Sequence, residues 1–282
     1  MQRRDFLAGA ATAAVLAMPA RSDDRAVSFG LTPVFLTNDQ ELLALIRGHL
    51  EQALGVPVQL IQRRTYQEIT AMLLAGQVDA AWICGYPYVR HRDELALLAV
   101  PVWRGRPLYQ SYLIGRPTGE EGSLADLRGE IHAFSDPDSN SGYLVTTAAL
   151  ARMADRPETF FARSFFTYGH RNVVRAVASG LAQSGSVDGY VWEALTVAEP
   201  ALPAATRVIA RSDWLGFPPI ACLRAHADGP RMRALANALA RMDATPGGRE
   251  VLALLQLDGF RDADPALFNG IAALARTVGA RG

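Results

Sequence analysis

From residue 26 onward the sequence alternates short apolar runs with amphipathic stretches, and that alternation limits the fold more than any other feature. "AVSFGLTP" (26–33) reads as a strand. "NDQELLALIRGHLEQALG" follows it, with Leu43, Ile46, Leu50 and Leu54 on one helical stripe. Asn38 and Glu41 form a capping-box-like start for that helix, and Gly55 supplies a stop. "PVQLIQR" is a second strand, and "TYQEITAMLLAG" a second helix with Thr65 and Glu68 as its capping box and Gly76 as its end. "VDAAWICG" is a third strand, closing at Gly85. The order βαβαβ favours a parallel sheet with helices on both faces.

The second half repeats the theme. "LLAVPVWRGRPLYQSYLIG" (97–115) reads as two strands broken at 104–107, and "SLADLRG" as a short capped helix. "IHAFSDP" then opens a second α/β series. It continues through a helix in "YLVTTAALARM", a strand in "SFFTYG", a helix in "NVVRAVASG", and strands in "VDGYVWE", "RVIARSDW" and "PPIACLRA". Three helices close the chain; Met232, Leu235, Leu239 and Met242 mark the first, and Pro246 and Pro265 open the others behind Thr245 and Asp264. "MLLAGQVDAAWICG" echoes "AVASGLAQSGSVDGYVWE": a helix, a Gly stop, then Val-Asp and an apolar run. Two α/β lobes with a ligand cleft between them would produce such an echo.

The N-terminus reads as an export signal. In "QRRDFLAGAATAAVLAMPARS", paired Arg3 and Arg4 precede an apolar stretch too short and Ala-rich for a membrane anchor. The pair followed by Asp5-Phe6-Leu7 resembles a twin-arginine signal, so the expected location is the periplasm. Removing residues 1–22 takes away three arginines and one aspartate and moves the balanced net charge to −2. Every basic residue other than histidine is Arg, and the zero net charge argues against a nucleic-acid partner. The chain is expected to be neither membrane-embedded nor dependent on a cofactor. Cys84 and Cys222 both lie in apolar, strand-like runs and read as free thiols.

Six ordered blocks, "TYQEITAMLLAGQVDAAW", "GYPYV", "DLRGEIHAFSDPDSNSGY", "FFTYGHRNVVRAVASG", "SVDGYVWE" and "WLGFPPI", resemble the periplasmic substrate-binding proteins of phosphonate, phosphite and phosphate ABC importers. The resemblance covers nearly the whole exported chain. It implies a two-lobed α/β binding fold of type 2, with residues 26–112 plus 221–282 as one lobe and 113–220 as the other. It also implies a small oxyanion ligand and an ABC permease as partner. A second reading is a sensory binding protein for arsenite or another oxyanion, signalling to a periplasmic sensor-kinase domain. An enzyme is not expected: no G-x-S-x-G, metal-ligand spacing or dinucleotide fingerprint is present.

The candidate site residues follow from chemistry and from that resemblance. "SDPDSNSGY" (135–143) packs small polar residues between an apolar strand and a helical pattern beginning near Tyr143. It reads as an ordinary cap after an Asp-Pro turn or as an anion cradle at a helix N-terminus. Ser139, Asn140 and Ser141 stand where the family carries Ser-Thr-Ser around its phosphonate group, with Asn140 replacing the Thr. By resemblance, Tyr66 donates to the anion, His170 matches an anion-contacting His, and one of Tyr86 and Tyr88 lines the cleft. Arg63, Arg64 and Arg171 sit near strand ends and could add charge; Asp188 and Glu193 lie where aminophosphonate binders carry acids. Cys84 reads either as a small buried hydrophobe or as a soft ligand for trivalent arsenic, and Cys222, on the strand that returns to the first lobe, is a second thiol that could meet it.

Overall fold

The computed structural model describes residues 25–33 and 40–279, so the export signal and the Asn38 cap lie outside the described residues. Two mixed sheets and a small hinge ribbon make the frame. The first sheet runs Gly259–Arg261, Leu95–Val102, Ile220–Leu223, Ala80–Trp82, Val27–Leu31, Val58–Gln62 from edge to edge. The βαβαβ segment gives its parallel half: Val27–Leu31 pairs in parallel with both Val58–Gln62 and Ala80–Trp82. The other half, made by strands outside that segment, is antiparallel. The second sheet runs Arg207–Arg211, Ser111–Gly115, Ser184–Asp188, Ile131–Phe134, Arg163–Phe166, again part parallel and part antiparallel. Between them, Leu108–Tyr109 pairs with Leu215–Gly216, so the outgoing and returning strands lie side by side where the chain passes between the sheets.

Local chemistry sets most element ends. Thr65 and Glu68 close a full capping box, and Gly76 takes the left-handed backbone (φ +67) that lets the chain turn after the helix Tyr66–Leu74. Ser123 and Asp126 cap the short turn Leu124–Leu127. Thr245 and Asp264 cap the helical segments that Pro246 and Pro265 open. The helix Gln40–Leu54 buries Leu42, Ile46, His49 and Leu50, one step round from the stripe read from sequence.

Three local expectations are corrected. "VDGYVWE" is not one strand: the strand Ser184–Asp188 ends at Asp188, whose carboxylate accepts from Tyr190 N and Val191 N and starts the helix Gly189–Ala198. The cap and the burial of Tyr190 and Val191 override the strand preference of the β-branched and aromatic residues. The helix expected near Tyr143 begins at Asn140 with a wide π-type turn, Asn140–Leu144, that runs on into Val145–Arg152. A short helix, Gly85–Arg90, occupies "GYPYVR", which had no element assigned.

One apolar core spans both sheets, from Phe29 and Tyr66 through Tyr109 and Phe217 to Val173 and Val187. A smaller cluster, Leu113, Leu127, Phe134, Leu150, Phe160 and Phe161, fills the outer part of the second lobe. Among the described residues, no helix is long and apolar enough to cross a membrane.

Candidate functional site

Five helices start at the junction of the two sheets, each just after a strand or a strand-end turn. Tyr66 is the first residue of its helix, and Cys84 precedes Gly85–Arg90. Ser139 precedes the Asn140 turn, His170 opens His170–Ala178, and Asp188 precedes Gly189–Ala198. Contacts across the junction bring them together. Tyr66 N donates to Asp136 Oδ2 at 3.2 Å, and Tyr66 Oη meets His170 Nε2 at 3.1 Å. Asn140 N donates to Cys84 Sγ at 3.2 Å, and Asp188 N donates to His170 Nδ1 at 3.0 Å. Helix N-termini carry partial positive charge, which favours an anion where they converge, although the Asp136 and Asp188 carboxyl groups already accept from two of these starts.

The hydrogen bonds fix the direction of the Tyr66 phenol. His170 is fully buried, and burial lowers its pKa from 6.5 to about 3, so the ring is neutral. Its Nδ1 accepts from Asp188 N, which puts the ring proton on Nε2. Nε2–H then donates to Tyr66 Oη, and the phenol proton of Tyr66 is left to donate elsewhere. Burial raises the Tyr66 pKa well above its ordinary value, with the nearby Asp136 and Asp188 carboxyl groups adding to it, so that proton stays in place.

The 135–143 turn is buried throughout its polar part: Ser135, Ser139 and Asn140 are 0 % exposed and Ser141 is 1 % exposed. Ser139 Oγ caps the turn by accepting from Gly142 N at 3.0 Å. Asn140 Nδ2 donates to Tyr109 Oη at 2.7 Å, and Ser111 Oγ donates to Ser141 O at 2.6 Å. Ser135 Oγ and Asn140 Oδ1 are buried with no hydrogen-bond partner, and Ser141 Oγ has beside it only the Tyr109 hydroxyl. Buried polar atoms are paired in the great majority of cases, so unpaired ones gathered on one turn make it a candidate place for a polar ligand. Gly142 is required here: a Cβ would fall 1.8 Å from Ser135 Oγ and 3.0 Å from His170 Cε1.

Two carboxyl groups border the cluster. Asp136 accepts from Tyr66 N and Asp138 N, and burial raises its pKa against those bonds. Burial also raises the Asp188 pKa, from 3.8 to about 7. Among the described residues no arginine pairs with either: Arg171 binds Glu199, Arg90 binds Asp138, and Arg104 binds Glu193. Arg63 donates to Gln62 O, and Arg64 lies over the Tyr168 ring. No group of acidic, His and Cys residues suited to a metal ion occurs among the described residues.

The structure thus gathers Ser139, Asn140, Ser141, Tyr66, His170 and Cys84. Tyr86 is half-buried beside Arg90, at the rim where Arg90 pairs with Asp138. Tyr88 instead packs on Phe268 inside the first lobe, at 4.9 Å between ring centroids. Glu193 accepts from Tyr112 Oη as well as from Arg104, outside the cluster. Cys84 and Cys222 are both free and buried, but they do not meet. Cys222 lies opposite Ala80, four residues back along the strand direction, a separation of roughly 13 Å. Burial pushes the Cys84 thiol up to about 12, so it remains protonated. Asp136, Ser135 and Tyr109 joined the cluster without being singled out from sequence. The Asp-Pro pair at 136–137 carried a signal for the first two; Tyr109, in a stretch read as plain strand, carried none.

A family model described as "ABC transporter, phosphonate, periplasmic substrate-binding protein" matches residues 29–268. A phosphate-import protein PhnD of Mycolicibacterium smegmatis is 29% identical over 148 residues, which are 48% of this chain and 46% of that relative, so the chain matches about half of its length. Among solved structures, a binding-protein component of an ABC phosphonate transporter from Pseudomonas aeruginosa superimposes with TM-score 0.83 at 23% identity, covering 92% of this chain and 90% of that one. PhnD1 from Prochlorococcus marinus, solved with methylphosphonate, gives TM-score 0.79 at 16% identity, covering 91% and 99%. At those identities the two structures speak for the two-lobed fold. The family match spans both sheets and every helix start at the junction, and the chain belongs to the family of periplasmic phosphonate substrate-binding proteins of ABC transporters.

Proposed function

We propose that this protein captures a small tetrahedral oxyanion of the phosphonate, phosphite or phosphate class and delivers it to an ABC permease. The observation that carries the reading is the meeting of five helix N-termini around buried, unpartnered polar atoms on one turn. In this reading Tyr66 Oη and Ser141 Oγ donate to the oxyanion, with Ser135 Oγ beside them. Ser139 holds the turn, and Asn140 faces the ligand through its side chain. His170 acts as a positioning residue that turns the Tyr66 proton toward the ligand. Cys84 anchors the Asn140 amide, and Tyr86 stands at the rim. The lobes, 26–112 with 221–282 and 113–220, close over the ligand. Interlobe bonds such as Tyr66 N to Asp136 and Arg90 to Asp138 then hold the form the permease recognises. Export follows the twin-arginine route through Arg3 and Arg4, and the protein binds its ligand without turning it over.

The test is a thermal-shift series with phosphate, phosphite, methylphosphonate, aminoethylphosphonate, arsenate and arsenite. A ligand bound only by the folded state at a hundred times its Kd adds about 2.7 kcal/mol of stability. The expected result is a clear upward shift with at least one phosphorus oxyanion and none with arsenite, because Cys84 is the single thiol at the junction and stays protonated. No shift with any phosphorus oxyanion would end this reading. A shift with arsenite alone, lost in Cys84→Ser, would replace it with the sensory one.

A further inference from the structure

A cavity of about 540 Å³ shares Ser111 with the junction: Ser111 lines it and donates to Ser141 O on the 135–143 turn. That volume falls within the roughly 300–1,000 Å³ of small-molecule sites. One wall is the helix Asn269–Gly279, through Gly270, Ala273 and Leu274. That helix is seated on the first lobe, where a Cβ on Gly85 would fall 2.6 Å from Ile271 Cδ1. The facing wall is the second sheet and the helix Val145–Arg152, through Leu113, Val145 and Ala149. A molecule in the cavity would therefore touch both lobes.

The lining divides by exposure. Leu113 is buried and Val145, Ala149 and Leu274 are half-buried, so the inner part is apolar. Arg152, Arg211 and Asp213 are exposed, and two positive charges against one negative leave a net charge of one at the opening. Among the described residues neither arginine pairs with a carboxylate; Arg211 lies over the Tyr112 ring, 4.8 Å from its centroid. Trp214, 41 % exposed, adds a flat ring to the same lining. An apolar slot alone does not identify its occupant. The surplus guanidinium and the exposed indole do, because together they suit a flat apolar body bearing one negative charge.

We propose that this cavity is a second ligand site, taking a small aromatic monoanion, and that its occupant holds the two lobes together. The site stands apart from the oxyanion reading; the bridging role rests on it, through the lobe closure it assumes. A molecule that touches both walls binds the closed arrangement better than an open one. By linkage it tightens oxyanion binding, and the oxyanion tightens the hold on it.

The probe is 1-naphthoate, whose planar carboxylate is unlike a tetrahedral oxyanion. Isothermal titration of the full chain is expected to give one-to-one binding at a Kd of about 1 mM or tighter. Neutral 1-naphthalenemethanol should bind at least about threefold more weakly. Arg152→Gln should weaken naphthoate about two- to fivefold, the range of an exposed ion pair. Ala273→Trp fills the cavity from one wall and Ala149→Phe from the other, and each should abolish binding; a melting curve identifies a variant that fails to fold, and the other then decides. Saturating naphthoate should lower the methylphosphonate Kd about fivefold or more. No heat with naphthoate, binding kept in the filled variants, or equal binding of the neutral analogue overturns the site. A methylphosphonate Kd that rises puts naphthoate in the oxyanion site and overturns the second one; an unchanged Kd overturns the bridging role. No heat with methylphosphonate itself removes the oxyanion reading and the bridging role, while the naphthoate titrations still decide the cavity.

Discussion

Replacing Tyr66 by Phe deletes one oxygen and tests how the site is wired. The backbone bond from Tyr66 N to Asp136 survives, because it does not involve the side chain. What is lost is the acceptor for His170 Nε2–H, 3.1 Å away in a site where Tyr66 is 0 % and His170 1 % exposed. An imidazole N–H stranded there costs about 1–3 kcal/mol of stability. For a chain of this size that is a fall in Tm of about 2–12 °C, at about 2–4 °C per kcal/mol. The bound anion loses a donor as well; a hydrogen bond to a charged group contributes about 1.5–3 kcal/mol, so Kd should rise roughly 10- to 150-fold. Titration calorimetry with methylphosphonate and a melting curve read the two effects. Because His170 works through Tyr66, adding His170→Asn to Tyr66→Phe should cost less than the sum of the single changes, with a coupling above about 0.5 kcal/mol. A Kd within twofold of wild type in Tyr66→Phe, or additive effects in the pair, would refute this arrangement.

Other consequences are as concrete. Gly142→Ala should cost about 1–3 kcal/mol and abolish tight binding, since its Cβ would meet Ser135 Oγ at 1.8 Å; adding Ser135→Gly should restore part of both in a denaturation and titration series. Ser139→Ala removes the cap on Gly142 N and should cost about 1 kcal/mol in urea denaturation while weakening oxyanion binding through the loosened turn. Stability should also depend on pH in a set direction. Burial lowers His132 and His170 from 6.5 to about 3, so their contribution is present above about pH 6.5 and lost as pH falls toward about 3. Asp188, raised from 3.8 to about 7, contributes most below pH 3.8 and loses its contribution as pH rises through about 7. Asp136 and Glu130, which burial also raises, act with Asp188, so the histidine share is read by difference: His132→Asn should make the urea midpoint rise less, or fall more, between about pH 4 and about pH 6.5 than it does in the wild type, and an unchanged pH dependence would contradict it.

What the sequence disclosed divides along the range of the interactions involved. Capping chemistry is local, and so Thr65 with Glu68, Ser123 with Asp126, Thr245 with Pro246 and Asp264 with Pro265 all appear at helix starts where their spacing put them. In "VDGYVWE" the strand preference of the side chains competes with Asp188, itself a cap signal, and the cap prevails. The Gly85–Arg90 helix was hidden by Pro87, which sits in its first turn, where a proline is tolerated. The site is another matter. Tyr66 and His170 are 104 positions apart, and Asn140 is 56 from Cys84. No local pattern joins such pairs; the family resemblance did, and it could not supply Tyr109, Ser135 or Asp136. Nor could residue order say that the Asn140 side chain would meet the Tyr109 hydroxyl, since that follows from the hinge strand passing beside the turn.

A crystal structure of the protein grown with methylphosphonate reaches the main point with least inference. The phosphonate oxygens should lie within about 3 Å, an ordinary hydrogen-bond length, of Tyr66 Oη and of side chains on the 135–142 turn, with His170 Nε2 still directed at Tyr66. Density for the anion away from that junction, or a bound anion whose nearest donor is an arginine, would contradict a site made from helix starts and neutral side chains.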